Sequence, residues 1–497
     1  MTQKQALDLN CFEWAQTMNK NFVGGQWIEG ESGRIYSIKD PFDQSDIVSV
    51  QLANVVQIKE AYNKAKLAQK DWAKSTPEQR REVLTKALNY LEKNKNHILE
   101  LITRETGGTL LKAHVEFGFG VSDIKDAINM VDEIFSPKDY SSATPGKVNR
   151  VYKLPLGVIT SITPFNFPFN MATRTIFPAI ALGNSVVHKP DIQVGIVGGQ
   201  VFAKAFEEAG LPAGVFNSIL TDLQESGDEF ITNTNSSFIS FTGSTAVGKH
   251  IDKVTGGSLK QKALELGGNN PLVVLRDADV EQAVKIAIFG KFLHSGQICA
   301  ITNRIIVHRE IYNEFVARYV EKVKGLTVGD PKDPNTNIGP VINEKQADKI
   351  MDLVNTAREN GLKLAVVGER NGNVISPFVF VDVPHQSCLA SCEIFGPVAQ
   401  IIPAESDEEA IRFANDTEYG LSSSIITSDL EKGEMLALEI ESGTTHINDM
   451  PAVLEGNMPF GGVKQSGVGR FGYEWIVDEF TVTKWVSIQK SKLDYPF

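Results

Sequence analysis

Apolar positions along the chain change their period several times, and each change marks an element. Residues 21–55 form short runs broken by glycine, and FVGGQWIEG, with aromatics on either side of a glycine pair, predicts a hairpin. From Val56 to about Thr106 the repeat lengthens to three and four. Ala61, Ala65 and Ala68 lead to Trp72, and Val83, Leu84, Ala87, Leu88 and Leu91 make a second stripe beyond a break at Ser75-Thr76-Pro77. Helices are predicted over both stretches, with a structural role.

Between Gly157 and Leu275 short apolar runs alternate with helical ones. Strands are predicted at Val158–Ile162, Ser185–His188, Val215–Leu220 and Phe238–Phe241. Helices are predicted over Phe167–Leu182 and Ile196–Ala209, the second stopped by Gly210 and Pro212. This is the βα alternation of an open parallel sheet, whose ligands belong at the carboxyl ends of the strands. A second alternating block runs from about Asn269 to His446, with helices near 278–290, 310–324, 343–360, 406–414 and 428–440. Two alternating ribbons stand apart, 139–156 and Thr481–Gln489. Bare ribbon edges invite aggregation, so the two are expected to pair with each other and with a second subunit.

Composition narrows the function. A chain of 497 residues exceeds one core and implies two to three domains. Net charge is −12 and the pI about 5.3, and no Lys/Arg run reverses this locally, which argues against nucleic acid as a partner. No apolar run reaches membrane-spanning length, and residues 1–20 lack a signal-type apolar core. Four cysteines, Cys11, Cys299, Cys388 and Cys392, make no disulfide framework and suit a reducing cytoplasm. Cys388, Cys392 and His385 would give a metal only three ligands, so no metal site is expected.

The unusual residues cluster at the predicted strand ends. Thr163-Pro164-Phe165-Asn166-Phe167-Pro168 follows the first strand and Lys189-Pro190 the next. Thr242-Gly243-Ser244 follows the fourth, and Glu265-Leu266-Gly267-Gly268 comes after it. Gly243-Ser244-Thr245 opens a helix. Its free N–H groups could face a pyrophosphate, or Ser244 or Thr245 could simply cap it. Lys189 is placed to hold a ribose or phosphate, although a lone lysine is usually a solvated charge. Glu265, among glycines, could act as a general base or a helix cap. Asn166, between phenylalanines, could supply an oxyanion donor or merely turn the chain. Cys299 sits in Gly296-Gln297-Ile298-Cys299, a small and polar turn that can present a thiol.

TPFNFP (163–168), GNSVVHKP (183–190), FTGSTAVGK (241–249), LELGGNNP (264–271), GQIC (296–299), EIFGPV (393–398) and PFGGVKQSGVGR (459–470) carry a resemblance. In order and spacing, with 34 residues from Glu265 to Cys299, they resemble the aldehyde dehydrogenase superfamily over nearly the whole chain. The resemblance implies an α/β fold of two open, mostly parallel sheets, a Rossmann-type cofactor domain and a catalytic domain, plus a small β oligomerisation arm. It divides the chain into 1–138 with 157–268 for the dinucleotide, 269–460 for catalysis, 139–156 with 480–497 for the arm, and 461–479 returning to the cofactor domain.

The resemblance also implies roles. Cys299 is the nucleophile, Asn166 and the Cys299 N–H hold the oxyanion, and Glu265 activates water. NAD or NADP would lie against Ile162, Thr163, Phe165, Lys189, Gly243, Ser244, Val247, Gly248, Leu266, Glu393 and Phe395. Three departures stand out. Ile192 replaces a Glu that grips the adenosine ribose in many NAD-preferring relatives, so NADP is expected to be tolerated. Phe165 replaces Trp and Ala246 replaces Glu. The wording KPDIQ, AKAFEEAGLPAGVFN, LELGGNN and DEFTVTKW resembles the benzaldehyde and vanillin dehydrogenases. Phe167, Met171, Phe292, Leu293 and Phe460 are the expected pocket walls, suited to a flat ring. Arg174 keeps a second reading open, because in the succinate-semialdehyde branch an arginine at the matching position anchors the distal carboxylate. The expected partners are a small-molecule aldehyde and further copies of the chain, as a homodimer or homotetramer, with no nucleic acid and no membrane.

Overall fold

The structure, a computed structural model, describes residues 11–497. What the sequence suggested for residues 1–10, including most of the signal-peptide question, lies outside the described residues.

The N-terminal hairpin pairs Asn21–Val23 with Gln26–Ile28 through Gly24 and Gly25, both left-handed (φ 61° and 78°). Two positive φ angles give the turn twist that a tight hairpin needs. The hairpin adds to one edge of an eight-stranded sheet. From that edge inward the sheet runs Phe216–Ser218, Ser185–Lys189, Val158–Ile162, Ser236–Thr242 and Gln261–Glu265, all parallel. Gly467–Val468 closes the far edge antiparallel. In Val158–Ile162, Ser185–Lys189 and Ser236–Thr242 the body of the strand is almost wholly buried, while the last residue is partly uncovered. The register sets Ile162 beside Lys189 and Phe241, and Thr242 beside Glu265. The polar ends therefore form one row.

The break at Ser75-Thr76-Pro77 is a helix start. Thr76 and Gln79 form a reciprocal capping box, with Pro77 as the first helical residue. Helices Val55–Trp72, Pro77–Lys93 and Lys95–Thr106 fill the predicted span. A further helix, Leu110–Asn129, has no counterpart in the sequence reading. Its Gly118 and Gly120 look like breakers. At Gly120 the reason is packing: an added Cβ would lie 2.5 Å from the ring of Phe169 on helix Pro168–Ala181. In that second helix every residue except Arg174 is buried.

A seven-stranded sheet follows, ordered Lys363–Val366, Phe378–Val381, Val398–Ala404, Arg304–His308, Pro271–Val274, Ser422–Ile426, Thr444–Ile447. Its edge strand Lys363–Val366 is antiparallel and the rest are parallel. The two ribbons pair with each other. Thr481–Gln489 lies antiparallel to Lys147–Pro155 from Thr481↔Pro155 to Gln489↔Lys147, with Lys138–Tyr140 on the other side. Trp485 on this ribbon is 66% exposed. Among the described residues no helix is long and apolar enough to cross a membrane.

Candidate active site

The row of strand ends floors a cleft of about 270 Å³. Ile162, Thr163, Phe165, Lys189, Gly243, Ser244 and Val247 line it. Ser244 caps helix Thr245–Thr255, its Oγ accepting from the Val247 N–H at 3.4 Å. The capping reading is met, and the capped helix start also faces the cleft. Two expected cleft residues lie elsewhere. Gly248 and Leu266 pack on each other away from the cleft walls, and an added Cβ at Gly248 would lie 2.4 Å from the Leu266 side chain. That glycine serves the close approach of helix to sheet.

From the second sheet, Glu393 reaches across to accept a hydrogen bond from the Gly268 N–H at 3.1 Å. Burial pushes its carboxyl up to about 7 against that bond. Phe395, in a left-handed conformation (φ 46°), sets its ring edge-on to Phe165 at 6.0 Å.

The thiol sits on a different kind of structure. Helix Val280–Phe292 ends and the chain passes through three successive left-handed residues, His294, Ser295 and Gly296 (φ 51°, 55° and 77°). Non-glycine residues in this region cost on the order of 1–3 kcal/mol each and persist only under outside support. Ser295 Oγ donates to the Gly339 carbonyl at 2.8 Å, and Gln297 Oε1 accepts from the Ile342 N–H at 2.9 Å. Beyond the sulfur, Asn270 Nδ2 donates to the carbonyls of Cys299 (2.7 Å) and Ile301 (2.8 Å). Arg304 anchors the next strand through the carbonyls of Asn269, Phe413 and Ala414. An added Cβ at Gly268 would lie 2.6 Å from the Cys299 carbonyl oxygen, so backbone lies directly against backbone there.

Asn166 joins this loop. Its Nδ2 donates to the Gln297 carbonyl at 2.9 Å, which leaves a second amide hydrogen for a substrate oxygen. Glu265 is 1% exposed and neither carboxylate oxygen has a hydrogen-bond partner. Burial raises its carboxyl to about 7, against the pull of Arg174 and Arg470. Burial, then the nearby Glu265 charge, pushes the Cys299 thiol up to about 12, and Arg174 draws it back. Arg174 Nη2 reaches Thr242 Oγ1 at 3.5 Å, the residue paired across the sheet with Glu265. Its guanidinium lies over the rings of Phe471 (4.3 Å) and Phe460 (5.2 Å).

Cys299 closes a narrow cavity of about 40 Å³ walled by Phe167, Met171, Arg174, Leu293 and Phe460. Phe119 and Leu454 are shared with a wider cavity of about 390 Å³ that carries Asp123, Asp126 and Glu455. Phe292 is not a wall. It points into the core of the second sheet, against Tyr319 at 6.5 Å. It ends its helix, and the turn that follows sends Leu293 to the cavity instead. Asn270 and His294 also belong to the site, although sequence reasoning gave them no role. The run Gly267-Gly268-Asn269-Asn270 was the available signal for Asn270.

The fold and this site define a class. The model of the aldehyde dehydrogenase family matches residues 27–486, and the chain belongs to that family. Among its relatives, AldY of Bacillus subtilis strain 168, whose name marks it provisionally as an aldehyde dehydrogenase, is 55% identical over 97% of this chain and 99% of its own. The benzaldehyde dehydrogenase YfmT of the same organism is 43% identical over the same shares. The NAD+ complex of Staphylococcus aureus betaine aldehyde dehydrogenase is similar with a TM-score of 0.93 at 29% identity, covering 98% of this chain and 99% of that one.

Proposed function

We propose that this enzyme oxidises an aldehyde, preferentially an aromatic one of the benzaldehyde or vanillin kind, to the carboxylic acid, with NAD or NADP. The observation that supports the reading is that Cys299 and Asn166 share one apolar cavity, with the buried Glu265 close enough for its charge to act on the thiol. The Cys299 thiolate attacks the aldehyde carbon, and the Asn166 amide with the Cys299 N–H holds the resulting oxyanion. The dinucleotide supplies the two-electron acceptor that converts the thiohemiacetal to a thioester. Glu265 then takes a proton from water, which attacks the thioester and releases the acid.

The cleft residues fit a dinucleotide. A capped helix start with Gly243 and Ser244 suits a pyrophosphate, Lys189 a ribose, and Glu393 the second ribose. NADP is accepted because position 192 is Ile in place of a carboxylate, although Asp191 beside it lines the cleft.

The walls of the inner cavity and the likeness to a benzaldehyde dehydrogenase support an aromatic substrate. A semialdehyde with a distal carboxylate fits less well. The guanidinium of Arg174 lies over two rings and the wider cavity is lined by carboxylates without Lys or Arg, although the Nε and Nη1 of Arg174, buried without partners, are donors that a distal carboxylate would satisfy. Steady-state turnover of benzaldehyde, vanillin and succinate semialdehyde with each cofactor tests this. A preference for the semialdehyde overturns the aromatic reading, and a requirement for coenzyme A overturns hydrolysis by Glu265. Exposed Val482, Trp485 and Ile488 on the ribbon support a homodimer or homotetramer, measurable by light scattering. The four free thiols support a reducing, cytoplasmic setting.

A further inference from the structure

Beneath the site, on helix Leu110–Asn129, lies a pair of charges that the chemistry above does not use. Lys112 and Glu116, one helical turn apart, form an ion pair with both side chains fully buried. Replacing a buried ion pair by apolar residues is often neutral or stabilising, so stability alone gives little reason for two buried charges here.

Their contacts give a better one. Helix Pro168–Ala181 begins without a side-chain cap of its own, because Phe167 stands at the cap position and Pro168 has no N–H. Glu116 Oε1 takes over from another helix. It accepts from the Phe169 N–H at 2.8 Å and the Asn170 N–H at 3.4 Å, two donors that a helix start otherwise leaves open. The carboxylate also meets the positive end of that helix. Asn166 lies two residues before Pro168. Lys112 Nζ, held by Glu116 and Thr106 Oγ1, sits over the Phe167 ring at 4.7 Å. Phe167 also meets His294 edge-to-face, 5.9 Å between centroids. His294 is the first left-handed residue of the thiol loop, and its buried imidazole faces the Asn166 backbone. Space here is tight: an added Cβ at Gly108 would lie 2.7 Å from Lys112 and 3.3 Å from His294. Burial, helped by the Lys112 charge, holds the imidazole neutral, so no second cation forms against the first.

We propose that Glu116, its buried charge offset by Lys112, is a positioning residue that fixes the oxyanion donor Asn166 relative to the Cys299 loop. Glu116 sets the start of the helix behind Asn166, and Lys112 offsets the Glu116 charge, its chain packing beside Phe167 in a way a methionine can replace. The inference rests on the catalytic reading of Asn166 and Cys299. A misplacement of about 1 Å between such groups can cost on the order of 100-fold in rate.

Two double variants of the full-length enzyme separate positioning from packing. Lys112→Met with Glu116→Gln removes both charges but keeps an acceptor for the two N–H groups. Lys112→Met with Glu116→Leu removes the acceptor as well. Both are compared with wild type per titratable active-site thiol, using benzaldehyde and benzaldehyde deuterated at the formyl carbon. The Gln pair is expected to keep kcat within about threefold. The Leu pair is expected to lose roughly 10- to 100-fold in kcat, with KM and cofactor Kd changed less than threefold. Its primary isotope effect on kcat should rise, because collapse of the oxyanion, the step that breaks the formyl C–H bond, becomes rate-limiting.

Wild-type kcat and isotope effect in both variants, with only Tm lowered, overturns the proposal. So does an equal loss in both, since the acceptor would then be irrelevant. If wild type prefers a non-aromatic aldehyde, the same comparison run with that aldehyde still decides, and only the substrate reading falls. If Cys299→Ala turns over normally, the catalytic reading itself falls.

Discussion

The strand-end cleft, proposed for the cofactor, and the thiol pocket adjoin at the turn Phe165-Asn166-Phe167, yet they are built on opposite plans. The cleft is assembled from regular structure. Parallel strands deliver Ile162, Lys189 and Thr242 in register, and one capped helix start completes it. The thiol pocket is assembled from irregular backbone held by distant parts of the chain: three left-handed residues, Asn270 across 29 positions, and Gln297 across 45. A cleft of the first kind needs little beyond the fold itself, whereas the loop of Cys299, the proposed nucleophile, is held by the buried amides of Asn270 and Gln297. Damage to the pocket should therefore strike rate, and damage to the cleft should strike affinity.

The sharpest separation comes from Cys299→Ala, which is expected to abolish oxidation while the cofactor Kd stays within about twofold, read by nicotinamide absorbance and calorimetry. A loss of cofactor affinity would show that the two regions are not independent. Next, Asn166→Ala should lower kcat by about 100- to 1000-fold, the typical loss for one oxyanion donor, again with cofactor binding intact. A change confined to KM would remove Asn166 from the oxyanion site.

Glu265→Gln should lower steady-state turnover by roughly 100- to 10,000-fold yet leave a pre-steady-state burst of reduced cofactor. Its stability has a sign that can be checked. The folded pKa is raised from 4.5 to about 7, so the stability linked to the neutral carboxyl is full below about 4.5 and is lost as pH rises through 7. The Gln variant should gain Tm over wild type above pH 7, and the gain should vanish near pH 4.5. The smallest effects are expected from two milder changes. Arg174→Leu removes a cation that lowers the pKa of both Glu265 and Cys299, so the pH–rate profile should move to higher pH. Ser244→Ala should lower Tm by about 1–2 °C and weaken the cofactor a few-fold without changing kcat.

The same contrast explains what the amino-acid order discloses. The cleft was legible because strand ends carry their chemistry as local wording, and Lys189, Gly243 and Ser244 fall where a period change places them. Helix bounds were also legible: helices expected near 310–324 and 343–360 run Arg309–Lys324 and Glu344–Glu359. Helix Leu110–Asn129 was not, because Gly120 is set by the ring of Phe169 on another helix. Phe292 and Leu293 are adjacent and both apolar, and no periodicity tells which one the left-handed turn swings toward the sulfur. Lys112 and Glu116 look like any exposed i,i+4 pair. Only the tertiary structure shows them to be buried.

The ribbon carries a consequence for the making of the protein. Lys153 and Thr483, bonded across it at 3.0 Å, are separated by 330 positions. At roughly 5–20 residues per second, a ribosome leaves the strand Lys147–Pro155 without that partner for on the order of 15–70 s. Throughout that interval an open edge waits on the nascent chain, and the first sheet still lacks Gly467–Val468. A chain stopped before Gly467 would emerge with two unfinished sheets and depend on chaperones to stay in solution.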